Sequence, residues 1–200
     1  CNHPVQWEKK ETAALAIDDS FTRRSGKLQR LLELLEEIIS EGDRVLLFTQ
    51  YAEMGKILST WLPKQLGVGV QFLYGATPPE TRDQMVKRFQ EDPHGPPIFI
   101  LSLKAGGIGL NLTRANQVIH FDCWWNPAVE DQATDRAYRI GQNRNVQVHK
   151  LITVGTLEER IDDMIESKKG LADAIISSGD QWLTEMSTDE LRDMVTLRGS

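Results

Sequence analysis

Gln132, Arg136 and Arg139 are spaced by four and then three residues. On a helix that spacing puts all three side chains on one face. Two guanidiniums held there form a fixed pair that stays charged. Such a pair can stabilise the oxygens of a γ-phosphoryl group in transfer. An arginine finger of this kind supplies a factor of about 10³ to 10⁵ in rate, roughly 4 to 7 kcal/mol of barrier. The competing reading is a solvated face with ion pairs, because Asp131 and Asp135 stand close by and arginines are mostly surface residues. For either arginine taken alone, the solvated face is the better reading.

A second candidate lies upstream. The run Ser102-Leu103-Lys104-Ala105-Gly106-Gly107-Ile108-Gly109-Leu110-Asn111-Leu112 follows directly on an apolar stretch. Glycines there let backbone amides approach a phosphate closely. A tight turn needing positive φ explains them equally well. The run is not a dinucleotide fingerprint, since Leu112 stands three places after Gly109. No Gly-x-x-x-x-Gly-Lys-Ser/Thr loop occurs in the chain.

Other chemically capable residues read blandly. His120 and His149 fall inside strand patterns and suit half-buried, satisfied side chains. Trp61 and Trp182 read as core anchors. Glu158 and Glu159 read as first-turn helix charge at the positive end of the dipole, not as an acid/base pair. Cys1 and His3 could ligate a metal, but no second pair follows at ligand spacing.

The elements that must position these residues alternate. A helix opens at Ser25-Gly26-Lys27, buries Leu28, Leu31, Leu32, Leu35, Ile38 and Ile39 on one face, and stops at Gly42. A strand over 44–49 follows, with no alternation and hence with both faces covered. The pattern then gives a helix over 52–66 and a strand over 70–74. The next helix has Thr77 as N-cap, Pro78 at its first position, Glu80 at its third, and an end near Asp92-Pro93. Strands at 97–101 and 117–121, a helix over 127–139 and a strand over 146–152 complete the series. Thr156 with Glu159, and Ser187 with Glu190, form capping boxes for two further helices. Strands alternating with helices imply an α/β fold, a parallel sheet with helices on both faces. Ligands in such folds sit at the carboxyl ends of the strands, which is where the glycine run and the 127–139 helix begin.

Bulk properties set outer limits. The chain has 200 residues, 40% hydrophobic and 26% charged, ordinary for a soluble globular domain. No apolar run approaches the ~18 residues of a membrane span. The 2 cysteines are too few for a disulfide framework and suit a reducing interior. A net charge of −6 argues against a wholly basic nucleic-acid binder but leaves room for a local phosphate-binding groove. The opening Cys-Asn-His-Pro, without an initiator Met, reads as a cut through a longer chain.

Taken together, the motifs resemble one family. Asp122-Cys-Trp-Trp-Asn-Pro127 followed by Gln132-Ala-Thr-Asp-Arg136-Ala-Tyr-Arg139-Ile-Gly-Gln142 is similar to the end of the Swi/Snf helicase core. Ser102 to Leu112 resembles that family's motif V, and Gln132 to Gln142 its motif VI. Val45 to Tyr51 resembles motif IV, Cys1 to Pro4 the joint between two lobes, and Thr156 to Ile161 a brace helix. The resemblance covers about residues 1 to 197. The lack of large insertions looks closer to bacterial or archaeal members.

The resemblance implies a RecA-like second lobe at 25–155, an inter-lobe linker at 1–24 and a C-terminal helical brace at 156–200. It implies that Arg136 and Arg139 are arginine fingers and that Gln132 helps place the nucleotide. Gly107, Gly109 and Asn111 would lie near the ATP-side cleft. Thr49, Gln50, Ser102, Lys104, Ala105 and Trp125 would border the DNA. Position 124 departs from the pattern, carrying Trp where many relatives carry Asp; packing is the favoured reading, a stacking surface the other. Contacts from hydroxyls and amides to phosphates carry no base information, which suits a motor that moves on duplex DNA without reading it.

ATP hydrolysis also needs a phosphate cradle with Lys and a carboxylate for Mg²⁺, which the family places on a first lobe. The expected cofactors are therefore ATP and Mg²⁺ held mainly outside this chain. The expected partners are double-stranded DNA and that first lobe, with no membrane. The setting would be the nucleoid in a bacterium or archaeon, or the nucleus in a eukaryote. Two alternatives stay open: the rear lobe of a strand-separating helicase, and a non-catalytic DNA-binding or docking module on a helicase-like fold.

Overall fold

The apolar runs without alternation become the middle of a sheet. The structure, a computed structural model, describes residues 22–102, 110–124 and 126–169. Strands β1 (Val45–Thr49), β2 (Val70–Leu73), β3 (Ile98–Ser102), β4 (Gln117–His120) and β5 (Gln147–Lys150) form one sheet in the order β2-β3-β1-β4-β5. Every pairing is parallel. β1, β3 and β4 are buried along their whole length, as strands covered on both faces must be. The register pairs Phe48 with Leu101 and with His120, and Thr49 with Ser102, so the carboxyl ends form one level rim.

Two apolar layers sandwich the sheet. On one face, α1 (Gly26–Ser40) and α2 (Ala52–Leu66) bury Leu28, Leu31, Leu35, Leu58 and Trp61 against Val45, Leu47, Ile98, Ile100 and Ile119. On the other, α3 (Pro79–Glu91) and α4 (Pro127–Thr134) bury Phe89 and Ala133 against Leu46, Phe48, Phe99, Leu101 and Val118, with Trp124 in the same cluster. α5 (Leu157–Lys169) follows β5. No helix among the described residues is long and apolar enough to cross a membrane.

Local chemistry sets the boundaries. Ser25 accepts from the Leu28 amide and caps α1. At the other end Gly42 (φ 74) donates to Ile39 and Asp43 to Ile38, which closes the helix as a Schellman motif. In α2, a Cβ on Gly55 would lie 2.3 Å from the Phe72 ring, so only glycine lets this helix sit on β2.

α3 starts one residue later than the sequence suggests. Pro79 holds Pro78 extended (ψ 147), which makes Pro78 the cap position. Thr77 instead closes a turn, its hydroxyl accepting from the Tyr74 amide at 3.1 Å. At α5, Thr156 accepts from the Glu158 amide, but Glu159 reaches back to the amide of Gly155, one residue before the expected partner. The box at Ser187 and Glu190 lies outside the described residues.

The larger correction concerns α4, which ends at Thr134 and not at Arg139. Residues beyond it turn through i−3 bonds, Arg136 to Ala133 and Ala137 to Thr134. The Arg136 and Ala137 carbonyls, which a helix ending at Arg139 would leave without an intrahelical partner, are bonded by tertiary donors. The Leu112 amide donates to the Arg136 carbonyl at 3.0 Å. The Gln142 side-chain amide donates to Ala137, and also to Thr113 and Ala115.

Candidate functional site

β1 and β4 end side by side, and the first polar residue after β4 ties them together. Asp122 accepts from the Thr49 hydroxyl and from the Gln50 amide, both at 2.6 Å. The Gln50 side chain donates to the Cys123 carbonyl at 2.6 Å. Thr49 is fully buried and Ser102 nearly so. Thr49, expected to border the DNA, here donates its hydroxyl to Asp122, 73 residues away. Ser102 likewise ends β3 buried, and Gln50 is half-buried with its amide engaged.

Arg136 and Arg139 part company in the turn after α4. Arg136 is buried, its guanidinium 5.9 Å from the centre of the Phe48 ring. Burial lowers its pKa, and the charge of Arg139 lowers it further. Arginine stays protonated in proteins, so the shift reflects the cost of burying a charge beside an apolar ring, with the like charge of Arg139 adding to it. Arg139 and Gln132 are exposed. Tyr138 and Ile140, which flank Arg139, are exposed as well, at 69% and 102%.

Asn111 is exposed at the end of the glycine run, one residue before the Leu112 amide that holds the Arg136 carbonyl. One hydrogen bond thus links the two candidate segments directly. Lys104, Ala105, Gly107, Gly109 and Trp125 lie outside the described residues, as do Cys1, His3 and Trp182. Among the described residues, no His, Cys, Asp and Glu group could hold a metal ion.

Three features here were not legible in the sequence. Asp122 as the tie between strand ends is one; an acidic residue straight after a buried strand was its only signal. Gln142 as the staple of the turn is another. The third is His120, which is fully buried, not half-buried. It accepts from the Trp124 indole at 2.9 Å, and its other nitrogen lies 3.1 Å from the Thr134 hydroxyl. Burial, aided by the charge of Lys150, holds its pKa down to about 3. Trp124 packs in the core, as favoured. Burial and neighbouring carboxylates push the Cys123 thiol up to about 12, which makes it a poor nucleophile.

The face opposite holds a buried ion pair. Lys27 meets Glu158 at 2.5 Å and donates to the Phe121 carbonyl at 2.9 Å. Glu158 also accepts from the Thr153 amide. The first residues of α5 are thus fastened to α1 and to the end of β4. Two grooves, of about 440 and 550 Å³, flank the sheet, one between the start of α1 and the carboxyl end of β5 and one at the amino ends of the strands.

Known proteins match this architecture. The helicase conserved C-terminal domain matches residues 26–141. The chain is 53% identical over 197 residues to YwqA of Bacillus subtilis, covering 98% of the chain and 20% of that protein. It thus spans about a fifth of the length of this relative. Among solved structures, the Sulfolobus solfataricus SWI2/SNF2 ATPase C-terminal domain is 45% identical with a TM-score of 0.76, covering 99% of the chain and 77% of that domain. The Sulfolobus solfataricus SWI2/SNF2 ATPase core in complex with dsDNA is 49% identical with a TM-score of 0.81, covering 99% of the chain and 40% of that core.

Proposed function

The chain belongs to the Swi/Snf family of ATPases as their C-terminal, RecA-like helicase lobe, and from that premise we propose that it completes a DNA-dependent ATP hydrolysis site whose other half lies on a first lobe. The full protein hydrolyses ATP and moves along double-stranded DNA. Residues 25–155 are the working lobe, 1–24 the link to the first lobe, and 156–200 the brace. The observation that carries this reading is the turn after α4. It is fastened to the glycine run by Leu112 and stapled by Gln142, and it leaves Arg139 exposed, as Gln132 is on the helix that leads into it.

Each residue has a role. Arg139 reaches a γ-phosphoryl group held by the first lobe and stabilises the charge developing on its oxygens. Arg136, set back over Phe48, supplies a second positive charge close behind it, and Gln132 orients the nucleotide. Mg²⁺, bound by the first lobe, neutralises charge on the phosphates. Closing and reopening the lobes is a hinge motion about the linker, and each cycle shifts the DNA.

On the DNA side, the Thr49–Asp122–Gln50 tie sets the shape of the rim while the glycine run with Lys104, Ala105 and Trp125 grips the backbone. The dsDNA complex of the Sulfolobus solfataricus core supports this assignment. The compartment is wherever the cell keeps its chromosome.

The test is phosphate release with and without duplex DNA, from the full-length protein and from this lobe alone. The full protein should turn over ATP and be stimulated by DNA, and the lobe alone should release none above background. DNA-stimulated turnover by the isolated lobe, abolished by Arg136→Ala, would overturn the shared site.

A further inference from the structure

α4 has only 8 residues. Two turns of helix are marginal by themselves, yet this helix sets the height of everything after it, since Arg136 comes two residues past its last one. Its entry is capped by the Asn126 side chain, which accepts from the Ala128 amide at 3.0 Å. That fixes the first turn but not the position of the helix on the sheet.

The sheet provides one side chain that reaches both ends. His120 closes β4, two residues before Asp122. Its Nδ1 accepts from Nε1 of Trp124, ahead of the helix, at 2.9 Å. Its Nε2 lies 3.1 Å from Oγ1 of Thr134, the last residue of the helix. An indole N–H can only donate, which assigns Nδ1 as acceptor and Nε2 as the protonated nitrogen, donating to Thr134. The ring also stacks on Phe48 (5.5 Å, 19°) and meets the Trp124 ring edge-on (5.8 Å, 86°). Phe48 is the ring under Arg136. One imidazole therefore touches Trp124, three residues ahead of α4, Thr134, which ends it, and Phe48, the platform of the buried arginine.

We propose that His120 is a positioning residue for the phosphate-facing turn: through Trp124 and Thr134 it clamps both ends of α4 to the centre of the sheet and so fixes where Arg136 and Arg139 stand. This rests on the proposed function above. It needs a single protonation state, and burial supplies one, since a second ring proton would point at the Trp124 N–H. A clamp of this kind touches neither ATP nor DNA. Loosening it moves the arginines by a fraction of an ångström to an ångström, and misplacement on that scale costs up to about 100-fold in rate.

The experiment uses the full-length protein and measures DNA-stimulated kcat, KM for ATP and the melting temperature. Thr134→Val keeps the shape and removes the hydroxyl; Trp124→Phe keeps an aromatic ring and removes the N–H. Each should lower kcat about 10-fold or more, with KM within twofold and a melting temperature lower by a few degrees, since each leaves a buried His120 nitrogen without its partner. Thr134→Ser, which restores the hydroxyl, should recover kcat to within twofold of the original. Wild-type kcat in Thr134→Val and Trp124→Phe would overturn the proposal. So would a loss of kcat that only tracks falling stability and that Thr134→Ser does not recover. Arg139→Ala runs alongside: if it retains turnover, the shared-site reading itself fails, whereas an inactive Arg139→Ala beside a fully active Thr134→Val sinks the clamp alone.

Discussion

Two buried arginines sit on phenylalanine rings at opposite ends of the same sheet, and their surroundings differ. At the amino ends of the strands, Arg44 lies 5.5 Å from the Phe89 ring. Its guanidinium donates to the Phe89 carbonyl, to Asp92 at 2.6 Å and to Pro93 at 3.2 Å. Burial lowers its pKa and Arg114 adds to that, but Asp92 pulls the other way. At the carboxyl ends, Arg136 lies 5.9 Å from the Phe48 ring, and burial is joined by the like charge of Arg139. The first arginine is locked by carbonyls from the end of α3 and the turn that follows. The second is crowded by a like charge at an open rim. The same side chain on the same kind of ring thus bonds the end of a helix at one edge of the sheet and lies beside a second arginine at the other.

The neighbours of each arginine extend the contrast. Beside Arg44, Asp43 accepts from Asn116 at 2.5 Å, from Gln117 at 3.1 Å and from Arg144 at 2.5 Å. These bonds fasten the start of β1 to β4 and to the segment leading into β5. Around Arg136, the neighbours Gln132, Arg139 and Asn111 are exposed.

The comparison predicts different phenotypes. Arg136→Ala in the full-length protein should cut DNA-stimulated turnover by about 10³-fold or more. It should also cost the lobe about 1–2 kcal/mol through the lost contact with Phe48, read by urea denaturation. Arg44→Ala should do the reverse. It strands the Phe89 and Pro93 carbonyls and removes one of two donors to Asp92, and should cost about 3 kcal/mol of stability, with turnover per folded molecule unchanged. Equal effects of the two on turnover would erase the distinction between the rims.

Asp43→Ala should cost about 2 kcal/mol by leaving the Asn116 and Gln117 amides without their acceptor. It should also remove an acid limb. Burial alone would raise the Asp43 carboxyl, but hydrogen bonds from Gln117, Asn116 and Arg144, with the charge of Arg144, more than offset it and lower its pKa. A carboxylate depressed on folding stabilises fully above its unfolded pKa of about 4 and loses that contribution as pH falls through the folded value. The unmodified lobe should therefore lose stability below about pH 4 more steeply than Asp43→Ala. The smallest effect belongs to neither rim. Arg30 and Glu33 pair at 2.9 Å on the exposed face of α1, and Arg30→Ala should change stability by at most about 0.5 kcal/mol.

How much of this was legible in the sequence follows from the range of each interaction. The central strands were readable because β1 and β3 are near-continuous apolar runs, and α1 because its leucines repeat at helical spacing. The end of α4 was not. Gln132, Arg136 and Arg139 keep helical spacing on paper, but after Thr134 the backbone tightens into i−3 bonds and Leu112 and Gln142 bind the turn's carbonyls from outside, which nothing local to the helix announces. The burial of Thr49 was hidden for the same reason, since its partner is 73 residues downstream. His120 read as an ordinary strand residue because its two partners matter only once α4 lies across the sheet. Arg139 and Gln132 were readable as candidates from spacing alone, and both are exposed.

The sharpest test of the account separates binding from turnover at Arg139. ATP affinity and DNA-stimulated phosphate release should be measured for the full-length protein and for its Arg139→Ala variant. The account predicts affinity within a few-fold of the original, an unchanged melt of this lobe, and turnover lower by about 10³-fold or more. Turnover that survives the loss of this exposed arginine would contradict it.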